Sequence, residues 1–273
     1  MIKNLKKLFY NSILSFKDLL LKIKYYNFLK LTPYNSKHND IYIVSYPKSG
    51  STWLSFLVAN AGLKYFKVNK QINFFNYHHI IPDIHDGRDI KENIHPFNSR
   101  IIKSHSFFNP FYKSVLYVIR HPEDVMISYF IFLSKLGRYK DNISKFIRSK
   151  KFGISSWVNH VDGWLSNNNP ALGIIVIRYE DLKNNSSKEI INLFEYLGYS
   201  LSNEDAEYAT LKSSFLNMKK MEQQIYKNGR QIADGFEFVR RGKLKDSNNM
   251  MSNEDKEFIS NSAKKIMKKF NYS

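Results

Sequence analysis

Lys48, Ser49, Ser51 and Thr52 stand together around Gly50, directly ahead of Trp53. An ammonium and three hydroxyls in one short stretch suit the holding of a phosphate-sized anion, provided the backbone turns sharply enough to aim its own N–H groups at the same point. The flanking residues supply that turn. Ile41, Ile43 and Val44 make the short β-branched run of a strand buried on both faces, and Pro47 and Gly50 interrupt it. Trp53, Leu54, Leu57, Val58 and Ala61 then recur at helical spacing. Residues 49–52 therefore fall in the loop and first helical turn, where N–H groups lack intrahelical partners and the helix dipole is positive.

Residue order decides which anion. A nucleoside-triphosphate loop reads G-x-x-x-x-G-K-[ST], with lysine after the second glycine. Here Lys48 precedes Gly50, and that string occurs nowhere in the chain. The run Tyr46-Pro47-Lys48-Ser49-Gly50-Ser51-Thr52-Trp53 instead resembles the 5′-phosphosulfate loop of the sulfotransferases that use 3′-phosphoadenylyl sulfate (PAPS), a pattern close to YPKSGTTW with Ser51 for one threonine.

Further segments resemble the same family in the family's order. Lys103-Ser104-His105 is similar to its K-[TS]-H string, which implies His105 as the catalytic base and Lys103 as a supporting cation. The residue types suit the task. An acceptor hydroxyl is a weak nucleophile until a neutral imidazole takes its proton, and a nearby cation stabilises sulfonate oxygens in the transition state. Phe107 stands where the family commonly has proline. The segment YVIRHPEDVMISYF resembles the 3′-phosphate motif and implies Arg120 and Ser128 as its holders; a guanidinium offers a planar, always-charged fork for that group. Tyr179-Glu180-Asp181-Leu182 is similar to the family's YEDL, implying Tyr179 at the adenine end and leaving structural work to the acidic pair. Ser213-Ser214-Phe215-Leu216-Asn217-Met218-Lys219 resembles TSFxxMK, so Ser213, Phe215 and Met218 would enclose the base; Phe215 and Met218 also suit the core face of an amphipathic helix. Arg240-Arg241-Gly242 resembles the closing R-K-G motif, a second grip on the 3′-phosphate, although the second glycine and the tryptophan that usually follow are replaced.

The resemblance spans roughly residues 40–255 and implies an α/β, P-loop-like three-layer sandwich with a mostly parallel central sheet flanked by helices. It implies a sulfonate transfer from PAPS to a hydroxyl or amine by in-line displacement, with adenosine 3′,5′-bisphosphate (PAP) as product and no metal. Lys48 would stabilise the departing bridging oxygen, with Lys103 and Ser128 in support.

The elements needed to position these residues are legible without the family. Residues 115–119 read as a strand, and Pro122 with acidic residues just after it marks a helix start. A further apolar, β-branched strand covers 173–177, and helices are expected at 187–197, 202–221 and 253–270. Trp157 and Trp164, seven apart, fit one helix face against the core. Several βα-type units with phosphate residues at strand ends predict helices on both faces of a parallel sheet and ligand sites at its carboxyl edge. Between residues 64 and 100, His78, His79, His85 and His95 cluster with Asp83, Asp86 and Asp89, yet no pair has a metal-ligand motif. An acceptor-lining loop is the better reading of that stretch, with Phe74, Phe75, Phe107, Phe108 and Tyr112 as candidate wall residues.

Composition narrows the rest. The chain has 273 residues, enough for one sizeable domain, assigned to 39–273. The absence of cysteine removes thiol catalysis, Cys-ligated zinc and disulfides, and fits an intracellular, cytoplasmic protein. A formal net charge of +18 favours anionic partners. Residues 1–38 form a basic amphipathic segment, with Leu5, Leu8, Phe9, Phe16, Leu19 and Leu20 on one face among lysines. Two readings of it stand level, a helix lying on an anionic bilayer and a helix packed on the domain's own surface. The acceptor is expected to be a small molecule, glycan or glycolipid, the last two favoured slightly by the basic charge. A P-loop kinase lacks its magnesium-binding Ser/Thr after a Walker lysine, and a nucleic-acid-binding protein lacks a recognition module. No nucleic-acid partner is therefore expected.

Overall fold

The computed structural model describes residues 37, 39–84, 96–166, 172–227 and 250–272. Four strands, β1 (Ile41–Ser45), β2 (Ile101–Ser104), β3 (Ser114–Ile119) and β4 (Gly173–Arg178), pair in parallel in the order β2-β1-β3-β4. The three-layer α/β sandwich expected from the sequence is therefore present. Alternation along the strands feeds two cores. Tyr42, Val44, Val115, Tyr117 and Ile119 point to one face, with Val125, Trp157, Trp164 and Ile259. Ile43, Leu116, Val118 and Ile177 point to the other, with Leu54, Leu57, Phe194 and Ala206.

The helices on the first face are α2 (Pro122–Lys135), α4 (Ile154–Leu165) and α9 (Asn253–Lys269), with the short α3 (Ile143–Ile147) between the first two. Trp157 and Trp164 lie fully buried on one side of α4, as their spacing predicts. The other face carries α1 (Ser51–Tyr65), α6 (Ser186–Tyr196) and α7 (Asn203–Lys212). The single helix expected over 202–221 is two: α7 stops at Lys212 and α8 (Phe215–Lys227) begins after Ser213-Ser214. Serine weakens a helix interior because its hydroxyl competes for backbone groups, and here Ser214 Oγ accepts from the Asn217 N–H as a cap for the new helix.

Strand order places the functional edge. Connections leave the neighbouring strands β1 and β3 toward opposite sides of the sheet, so their carboxyl ends form a switch-point crevice. Register brings these ends level, with Ser45 opposite Val118 and Ile119 opposite Arg178. At the amino end, Arg100 clamps Asp40 through two hydrogen bonds of 2.8 and 2.6 Å, fixing β2 against β1. Tyr112, a candidate pocket wall, belongs to the core instead: it is 2% exposed and stacked 3.6 Å from Tyr42.

Candidate active site

The loop after β1 forms an anion cradle by backbone geometry. Lys48 and Gly50 both adopt positive φ, 71° and 107°, and Gly50 caps α1 without any side-chain cap on the helix. The first N–H groups of α1 are thus left for a ligand. Ser49 is buried with its hydroxyl lacking a hydrogen-bond partner among the described residues, and an orphaned buried hydroxyl in a cradle suits an incoming phosphate oxygen. Ser51 and Thr52 occupy the first turn and are also buried. Lys48 Nζ lies 4.5 Å over the Phe132 ring of α2.

Arg120 follows β3 immediately. One guanidinium nitrogen donates to Asp124 Oδ2 at 3.2 Å, the guanidinium lies 4.3 Å over the Tyr179 ring, and Nε is buried without a hydrogen-bond partner among the described residues. Tyr179 opens α5 (Tyr179–Asn184) and also touches the cradle: a Cβ on Gly50 would come within 2.5 Å of its ring. Trp53 packs edge-on to the same ring at 5.4 Å. One tyrosine therefore contacts both the lysine loop and the arginine.

A face of α2 links the two ends again. Asp124, Ser128 and Phe132 recur at intervals of four along it, so they share a helix side. Asp124 holds Arg120 at one end and Phe132 meets Lys48 at the other. Ser128 stands between them, and the rise along the helix from Asp124 to Phe132 is about 12 Å, the length scale of a nucleotide.

His105 directly follows β2, and its Nδ1 donates to the Ser45 carbonyl at 2.8 Å. A carbonyl only accepts, so the neutral ring carries its proton on Nδ1 and its lone pair on Nε2. The histidine is thereby fixed to the end of β1, where the cradle begins. Lys103, two residues earlier, is buried and ion-paired to Asp83 at 2.8 Å. The Asp83 segment runs parallel along β2, with Lys103 N–H donating to the Pro82 carbonyl and Ile84 N–H to that of Lys103.

Ser213 is fully buried at the α7–α8 break, its hydroxyl accepting from Asn60 and its carbonyl from Trp53 Nε1 at 2.9 Å. It touches the cradle through Trp53. Met218 is buried in the core, and Phe215 is half-buried at the start of α8. Arg240, Arg241 and Gly242 lie outside the described residues, as do the segment 1–36, His85 and His95. Among the described residues no group of three or more His, Asp or Glu side chains is placed to hold a metal ion.

Sequence reasoning missed three residues. Asp83 reads in sequence only as one acid in a cluster, because a contact made across strands leaves no local pattern. Lys183, one turn into α5 from Tyr179, has its pKa lowered, first by burial and then by the nearby Arg120 charge. His160 on α4 is buried, hydrogen-bonded through Nδ1 to the Tyr117 hydroxyl at 2.8 Å, and set against Phe107 at 5.3 Å. Burial brings its pKa down to about 4, against the opposing pull of the His105 and Ser106 backbone.

The sulfotransferase domain family model matches residues 38–271. The chain belongs to that family. An amine sulfotransferase of Oryctolagus cuniculus is 27% identical over an alignment covering 88% of this chain and 85% of that protein. Sulfotransferase 1A1 of Mus musculus is 30% identical, covering 77% and 78%. Among solved structures, a retinol dehydratase in complex with retinol and PAP superimposes with a TM-score of 0.64 at 20% identity, over 89% of this chain and 86% of that one. A mouse sulfotransferase, SULT7A1, complexed with PAP gives 0.61 at 17% identity, covering 88% of each. These two likenesses establish the shared fold.

Proposed function

We propose that the protein transfers a sulfonate group from PAPS to a hydroxyl or amine on a small acceptor. The observation that carries this reading is the meeting of Gly50 and Arg120 on the one Tyr179 ring. Two candidate anion-holding segments that follow different strands thereby adjoin one ring, which suits a nucleotide with charged groups at both ends. The orphaned Ser49 hydroxyl, the uncapped α1 and the unpartnered Arg120 Nε fit its phosphates. PAP bound in two solved structures of this fold, and amine sulfotransferase among the relatives, agree with it.

Bound there, PAPS supplies an electrophilic sulfur on a phosphosulfate anhydride. His105 Nε2 takes the acceptor's proton as the acceptor oxygen or nitrogen bonds to sulfur and the bond to the bridging oxygen breaks. Lys48 neutralises the charge that develops on that oxygen, aided by the α1 N–H groups. Ser128 and Arg120 hold the 3′-phosphate, Tyr179 and Trp53 pack on the nucleotide, and Ser213, Phe215 and Met218 back its base. Lys103, its charge shared with Asp83, steadies the sulfonate oxygens. Arg240, Arg241 and Gly242 supply the second phosphate grip. Residues 39–273 act as one domain, and for residues 1–30 the two readings, a helix on an anionic membrane at the cytoplasmic side and a helix packed on the domain, are separated by deleting them: release from the membrane fraction is the outcome of the first, and unchanged partitioning would end it. No helix among the described residues is long and apolar enough to cross a bilayer.

A thermal-shift screen with PAP, ATP with magnesium, and an oligonucleotide tests the assignment. Stabilisation by PAP is expected, and stabilisation by ATP or oligonucleotide alone would refute it.

A further inference from the structure

Behind Arg120 and Tyr179 lies a set of contacts that none of the sequence motifs explains. Glu180 follows Tyr179, and its carboxylate spans two elements: Oε1 accepts from the backbone N–H of His121 at 2.9 Å, and Oε2 accepts from the Tyr272 hydroxyl at 3.1 Å. His121 is the residue after Arg120 and the N-cap of α2, a position where negative charge is favoured by the helix dipole. One carboxylate thus ties the end of β3, which carries Arg120, to the end of β4, which carries Tyr179. Tyr272 is buried and itself enclosed, with the Arg178 guanidinium 5.0 Å over its ring and the His121 ring edge-on at 5.2 Å. Arg178, Glu180 and His121, which contact it, belong to the strand ends that frame the Arg120 site, and the Tyr117 hydroxyl of β3 feels its charge as well.

We propose that Glu180, braced by Tyr272, is a positioning residue that fixes Arg120 over Tyr179 and so sets the preference of this site for a nucleotide bearing a 3′-phosphate. The proposal rests on the reading of Arg120 as the 3′-phosphate grip. Glu180 does not touch the ligand in this account. It acts through the His121 amide, holding the arginine's backbone while Asp124 and Tyr179 hold its head.

The test is calorimetric binding of PAP and of adenosine 5′-monophosphate, which lacks the 3′-phosphate, to the full chain. Glu180→Ala should lose about tenfold in PAP affinity, the equivalent of one strong hydrogen bond, while 5′-monophosphate affinity stays unchanged. Glu180→Gln, which can still accept from the His121 amide, should recover most of the loss. Tyr272→Phe removes one hydroxyl and keeps the ring, so it guards against a folding failure and should lower the PAP preference by several-fold. Equal losses for both nucleotides, or no loss, would overturn the proposal. A wild-type protein that shows no preference for PAP would instead remove the Arg120 reading itself, and this inference with it.

Discussion

The tautomer of His105 is set by an atom outside its own side chain. The Ser45 carbonyl accepts a hydrogen bond from Nδ1–H, which fixes the neutral ring as the tautomer with its lone pair on Nε2, the form the proposed base role requires. His105→Ala should therefore abolish sulfonate transfer while PAP still binds; turnover equal to wild type would remove it as the base. The second histidine nearby, His160, behaves in the opposite way. Its folded pKa is about 4 against an ordinary 6.5, so between these values an unfolded chain binds a proton that the folded one refuses. Stability should thus be complete above pH 6.5 and fall by about 3 kcal/mol as pH drops to 4. Denaturant midpoints measured across that range should show the loss, and His160→Gln should flatten the slope; an unchanged slope would contradict the assignment. The motif residues were legible because the family keeps them in short strings, whereas His160 and Asp83 matter through partners 43 and 20 positions away.

At the level of elements, the β1 loop and α1 work as a unit because Gly50 has both an unusual φ and a close neighbour. A side chain there would be strained at φ 107° and would meet the Tyr179 ring at 2.5 Å. Gly50→Ala should cost about 1–3 kcal/mol of stability and weaken PAP binding; full retention of both would mean that the cradle is not held against Tyr179. Strands and their order of use could be read from β-branched runs and proline or glycine breaks. The limits fall where side chains serve two masters. Residues 202–221 keep helical periodicity through the break, so only the capping hydroxyl of Ser214 reveals the stop. The 173–177 run signals a strand but not its place: β4 ends the described sheet, with Val176 36% exposed. Tyr112, polar-edged and flanked by loop residues, looks like a pocket wall in sequence; ring stacking on Tyr42 and Trp164 draws it into the core.

For the molecule as a whole, the strand order brings residues more than a hundred positions apart, Gly50 and Tyr179 among them, to one crevice. The net charge of +18 adds a general attraction for anions without choosing among them. In the proposed reading the choice lies with Lys48 and Arg120, which contact Phe132 and Asp124 of α2. The affinities of Lys48→Ala and Arg120→Ala for PAP and for adenosine 5′-monophosphate test that arrangement most directly. Lys48→Ala should weaken both ligands, and Arg120→Ala should weaken PAP by about 10- to 100-fold, as loss of a charge-assisted contact implies, while leaving the monophosphate unchanged. An Arg120→Ala protein that binds PAP as tightly as wild type, or loses both nucleotides equally, would contradict the account.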